Sequence, residues 1–393
     1  MLAALAACRG GVPSAGDVSA IPQTSAIREP GSRHVGLGAV LNTKDGGQVF
    51  GFDIDRSGAD GVLASAKTIN RNGAARVSVE TFDQDTGAIT SSFAEQTGTI
   101  NEYAVDGIFA GDIGLVTHFV TPKGQIFAER FYNVMNPVTA QKFTGTWTSP
   151  IRDVDVLQTG VNQTTSTSVL FAIELKNQDA PDLIVTDIAA NTVSKVVHLD
   201  PNLFGGANDP QMGQYIAGNK AVIAISPDAG TVRGRAPINA VVDLKTGATT
   251  QFAGFNNGFF HAGAVNGLAV DPNTGIAATT TELNSQVEFY DVNKERGLAF
   301  TQLPCTGNTD QTTSGAGVAV DPVNKLFLVT EPLYACDNRQ QSALVVYDET
   351  GKQIEVIPGF KFVIAEPAPA INPSKRMGWL FGPKFSQLQQ FFY

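Results

Sequence analysis

Near the C-terminus one alternation of apolar and polar positions is written twice. From Gly267 to Asp291 the chain reads "GLAVDPNTGIAATTTELNSQVEFYD", and from Gly317 to Asp348 it reads "GVAVDPVNKLFLVTEPLYACDNRQQSALVVYD". Each copy holds a short apolar run ending in Asp-Pro, a turn, a second apolar run, a loop, and a third run alternating as "QVEFYD" or "ALVVYD". Period-two alternation is the pattern of a strand, and the Gly, Pro and Asn between runs supply the turns. A fourth run follows each copy, "GLAFTQL" after the first and "KQIEVIPGF" after the second. Four consecutive antiparallel strands make a meander, and the step from Gly267 to Gly317 sets a period of about 50 residues. One such sheet exposes two apolar faces, so it must stack on neighbours.

The third run recurs upstream as "AVVDLKTG" (240–247), "LIVTDIAANT" (183–192), "IFAERFYNV" (126–134) and "RVSVETFDQDTG" (76–87). Most of these end in Asp followed by a Gly, Asn or Thr turn, which provides an Asx cap or a positive φ before the fourth strand. Downstream, "APAINPSKRMGWLFGPKFSQLQQFFY" supplies only three strands, and "HVGLGAVLN" (34–42) is available as the fourth. The expected fold is therefore all-β, a seven-bladed β-propeller of four-stranded antiparallel blades closed by an N-terminal strand. Seven blades over residues 34 to 393 take about 51 residues each; six would take about 60 and eight about 45, and both counts stay open.

Composition narrows the partners. The chain has 27 basic and 37 acidic side chains, a net charge of −10, and offers no cationic surface for nucleic acid. No apolar run approaches the length of a membrane-spanning helix. G-x-S-x-G, H-E-x-x-H, P-loop and C-x-x-C motifs are absent from the sequence, which removes the motif-defined hydrolases, zincins, NTPases and thiol redox folds. "DIDRSGAD", from Asp53, matches the first half of a calcium loop at Asp53, Asp55, Ser57 and Gly58, but Ala64 stands where a bidentate Glu belongs. A β-turn explains it better. Asp271-Pro272 and Asp321-Pro322 read as structural turn caps.

"GLAVDP" and "GVAVDP", each leading to "VEFYD" or "LVVYD", resemble repeats of the NHL and YVTN-like propeller superfamily. The resemblance implies a propeller and no particular activity. At the start, Leu5-Ala6-Ala7-Cys8 resembles the lipobox of bacterial lipoproteins, although the apolar run before it is short and no basic segment precedes it. That resemblance implies an exported periplasmic or cell-surface lipoprotein of a bacterium, with residues 1–8 a signal remnant, lipid on Cys8, 9–33 a flexible Gly/Ser/Pro-rich tether, and 34–393 one domain. Cys305 and Cys336 then remain as a pair, and export favours a disulfide between them; in a reducing compartment they would be free thiols.

In a propeller the connections from strand four to strand one and from strand two to strand three lie on one face. Cys305 and Cys336 fall in two such connections of one blade, which suits a disulfide. The same mapping places Glu282 and Glu331 at the ends of second strands, and His261 and Asn266 before a first strand. Asp106 and Asp153 fall at the starts of two earlier first strands. Two functions are expected from this. One is a monomeric binding or scaffold module that presents its loop face to a protein, peptide or glycan, needs no cofactor, and touches a membrane only through its lipid. The other is a metal-assisted lactonase or a lyase at the channel mouth. There Asn266, Glu282, Glu331, Asp106 and Asp153 would hold calcium, with His261, Glu282 or Glu331 as the acid or base, similar to the Glu/Asn/Asp set of calcium-dependent lactonase propellers.

Overall fold

The computed structural model describes residues 35–56, 58–68, 75–96, 102–106, 115–120, 127–132, 142–148, 154–162, 167–174, 182–187, 190, 192–199, 212–217, 219–225, 238–252, 265–281, 286–294, 296–304, 317–334, 341–361 and 368–393. Among the described residues the chain is all-β, without a helix, and its strands form seven four-stranded antiparallel sheets.

The first sheet holds strands from both ends of the chain: β1 (Gly36–Asn42) pairs with the last strand, while the strands that follow it begin a new sheet. That second sheet is β2 (Gln48–Ile54), β3 (Asp60–Thr68), β4 (Ala75–Asp83) and β5 (Ile89–Gln96). Next come β6 (Glu102–Asp106), β7 (Leu115–Val120), β8 (Phe127–Tyr132) and β9 (Lys142–Thr148). They are followed by β10 (Val154–Asn162), β11 (Thr167–Glu174), β12 (Asp182–Asp187) and β13 (Thr192–His198). The fifth sheet is β14 (Met212–Ala217), β15 (Lys220–Ile225), β16 (Ile238–Asp243) and β17 (Thr249–Phe252). The two copies of the repeat form β18 (Val265–Val270), β19 (Ile276–Thr281), β20 (Gln286–Asp291) and β21 (Arg296–Gln302), then β22 (Val318–Asp321), β23 (Leu326–Tyr334), β24 (Gln341–Asp348) and β25 (Gln353–Phe360). Finally β26 (Ala370–Asn372), β27 (Met377–Phe381) and β28 (Gln387–Phe392) complete the sheet of β1, in the order β1-β28-β27-β26.

The turn from third to fourth strand repeats one local solution. Asp83 Oδ1 accepts the backbone N–H groups of Asp85 (3.1 Å) and Thr86 (2.8 Å), and Asp243 Oδ1 accepts those of Lys245 (2.9 Å) and Thr246 (2.7 Å). Gly87 and Gly247 then sit at φ of 72° and 81°, a region that glycine enters without steric cost. Hydrogen bonds from Thr86 and Thr246 hold the Asp83 and Asp243 carboxyls below the usual carboxylate range. The "D-x-x-T-G" spelling is thus an Asx-capped turn that ends one strand and aims the next.

Sheets pack face to face, and the core is a series of apolar layers between them. Phe289 of β20 meets Phe327 of β23 and Tyr347 of β24 edge-to-face, with ring centroids 5.6 and 5.8 Å apart. The layer includes Ala278, Val287, Val329 and Val345. Phe360, Leu344 and Ile357 pack against Leu380, Phe391 and Tyr393 in the next layer, and Phe82, Phe52 and Leu41 against Trp379 and Phe381 in another. Burying each large side chain stabilises by roughly 1.5–3 kcal/mol. First strands adjoin one another: β2 lies beside β6 and β26, β22 beside β26 and β18, and β14 beside β18 and β10.

Candidate functional site

Because both faces of each inner sheet are covered, a charged residue that breaks the apolar pattern of a second or third strand becomes a buried charge. Glu331 is such a residue. It lies within β23, which runs three residues further to Tyr334, rather than at the strand's end as the sequence pattern suggested. Glu331 pairs with Ala343, and the ladder shifts register between Glu331 and Tyr334. By alternation it points with Phe327 and Val329 toward the β18–β21 sheet. Its exposure is 0%, and neither carboxylate oxygen has a hydrogen-bond partner among the described residues. Burial pushes its pKa up to about 8, so the carboxyl is a neutral acid at pH 7. Tyr347, on the same face, has its own pKa raised by burial and by the Glu331 charge.

The strand register also corrects the pairing of Glu331 with Glu282. Thr280 pairs with Gly267, and Thr330 donates to and accepts from Gly317, so Thr280 and Thr330 are equivalent. Glu331 therefore corresponds to Thr281, and Glu282 to Pro332. Glu282 itself lies outside the described residues, as do His261, Asp153, Cys305, Cys336 and Cys8. Asn266 belongs to β18 instead of preceding it, at the register shift between Val265 and Gly267. Asp106 ends β6 rather than beginning it. Among the described residues no three His, Cys, Asp or Glu side chains gather as metal ligands would. In "DIDRSGAD", Asp53 and Ile54 end β2 and Asp60 begins β3, with Asp53 Oδ1 accepting the Ile54 N–H at 2.8 Å, and Ala64 lies inside β3.

A second buried acid was missed in the sequence. Glu288 of β20 is only 6% exposed, and burial raises its pKa to about 7. It shares a face with Thr279, its cross-strand partner, and with Tyr290, which packs on Val222 and Val241 of the preceding sheet. The signal was present in "QVEFYD": Val287 and Phe289 point one way, so Glu and Tyr must point the other, into the neighbouring sheet. What these groups can do chemically is hold and release a proton near neutral pH. No protein-family model and no curated protein matches this chain.

Proposed function

We propose that the chain is a seven-bladed β-propeller, anchored outside a bacterial cell by lipid on Cys8, that serves as a binding or scaffold module. The observation that carries this reading is the order of the sheets. Each sheet is one consecutive meander, first strands adjoin, and the single exception in order joins β1 to β28. Joining strands from both chain ends in one sheet ties such a ring shut and covers the edge of β28. In such a ring the connections between strands two and three project from one end, and the longest in the repeat pair is the segment 335–340 between β23 and β24. Loops on a rigid scaffold are where recognition of a protein, peptide or glycan is built. A peptide and glycan array, probed with the intact chain and with a variant carrying Gly-Ser in place of 335–340, tests the reading. Binding should fall at least tenfold in the loop variant and stay unchanged in Glu331→Gln; equal binding by the loop variant would refute it.

A further inference from the structure

At the end of the sheets where first strands stop, one register position ties three of the seven sheets to the sheet that follows. Asn372, Asp321 and Asp271 hold this position, each at or just past the end of a first strand and directly before Pro373, Pro322 and Pro272. In the following sheet the equivalent residue directly succeeds the third strand: Gln84 after β4, Tyr393 after β28, and Glu349 after β24. Asn372 Nδ2 donates to Gln84 Oε1 at 3.0 Å, and Tyr393 Oη donates to Asp321 Oδ2 at 2.9 Å. Both seams are closed by a neutral donor.

The third seam brings two acids together. Asp271 is fully buried; its Oδ1 accepts the N–H groups of Asn273 at 2.7 Å and Thr274 at 3.4 Å. Its Oδ2 is buried with no donor among the described residues, and the Glu349 carboxyl lies within hydrogen-bonding reach of the Asp271 carboxyl. Thr274 Oγ1 donates to Glu349 Oε1 at 2.5 Å, which ties the Glu349 carboxyl to the turn that Asp271 caps. Two carboxylates in contact repel, and only a proton between them supplies what the amide and the phenol supply at the other seams.

We propose that Glu349 is held as a carboxylic acid and donates its proton to Asp271 Oδ2, closing the seam between the β18–β21 and β22–β25 sheets with a hydrogen bond that is lost when the proton leaves. The groups facing Glu349 are Asp271 and Thr274 from the β18–β19 turn and Lys325 from the β22–β23 turn. On its own turn, Asp348 is already occupied by the Thr350 and Lys352 N–H groups. Burial, then contact with Asp271 and its charge, raise the Glu349 pKa against the opposing pull of Thr274 and Lys325. The folded chain therefore retains this proton at a pH where the unfolded chain has released it, and the seam weakens as pH rises through that interval.

Thermal unfolding of the whole chain from pH 5 to pH 9 tests this with Glu349→Gln and Glu349→Ala. Glutamine donates at every pH, so its Tm should match wild type at pH 5 and exceed it by about 3 °C at pH 9. Alanine, with no donor, should already fall below wild type at pH 5. Asp271→Asn, which supplies an amide donor from the other side, should reproduce the Glu349→Gln profile. Parallel Tm profiles for wild type and Glu349→Gln would overturn the proposal. So would a wild-type Tm at pH 9 that calcium raises and EDTA lowers, since a cation rather than a proton would then join the pair.

Discussion

Replacing Glu331 with glutamine isolates the cost of a buried acid between two sheets. In the unfolded chain the carboxyl titrates near 4.5; in the folded chain burial moves it to about 8. Between those values the folded state keeps a proton that the unfolded state has lost, so stability falls as pH rises from about 4.5 and levels off above about 8. A displacement of roughly 3.5 pH units corresponds to about 5 kcal/mol at most. For 393 residues, an unfolding entropy of roughly 2.1 cal/mol/K per residue converts this to a Tm change of up to about 6 °C. Glutamine keeps the shape and neutrality of the protonated acid but cannot ionise. Its Tm should match that of wild type below about pH 4.5 and rise above it to a plateau reached above about pH 8, as followed by circular dichroism or calorimetry. A Tm difference that stays constant across this range would refute the reasoning. A lower Tm for Glu331→Gln at pH 9 would also refute it, by showing that the carboxylate is ionised and paired.

Glu288→Gln should behave in the same sense over a narrower window, with the gain complete near pH 7, and the same pH series of melting curves measures it. Phe327→Ala empties the ring cluster with Phe289 and Tyr347 and should lower stability by about 3–5 kcal/mol in denaturant titration. Asp243→Ala removes the acceptor of two turn N–H groups and should lower the Tm slightly at neutral pH, a difference that shrinks in acid as the wild-type Asp243 is protonated; melting curves at pH 7 and pH 3 measure it. Deleting residues 1–42 strips β28 of its partner and should convert the protein to concentration-dependent aggregates on size-exclusion chromatography.

Strand order was legible because it depends on local chemistry. Each alternating run found in the sequence became a strand, and "D-x-x-T-G" became a capped turn at Asp83 and Asp243, since the Asp oxygen and the following N–H groups lie within a few residues of each other. The use of residues 34–42 as the partner of the last strand was legible from count alone: three strands at the C-terminus needed a fourth. The candidate site was less so. Glu331 was singled out, but as a strand-end residue aligned with Glu282, because a gapped repeat does not reveal register. One residue of slip moves a side chain to the other face of a sheet. Glu331 was accordingly expected in an open mouth and lies in an interface.

The sequence by itself determined the period, the strands, the turns and the shortage of one strand at the end of the chain, all of which follow from neighbouring residues and hydrophobic alternation. Only the tertiary structure decided what each acid does. Asp271, Asp321 and Asn372 read alike as turn caps, yet their partners Glu349, Tyr393 and Gln84 come from the next sheet. Whether a carboxyl is solvated, hydrogen-bonded or held neutral depends on what the neighbouring sheet places against it, and no local pattern carries that information.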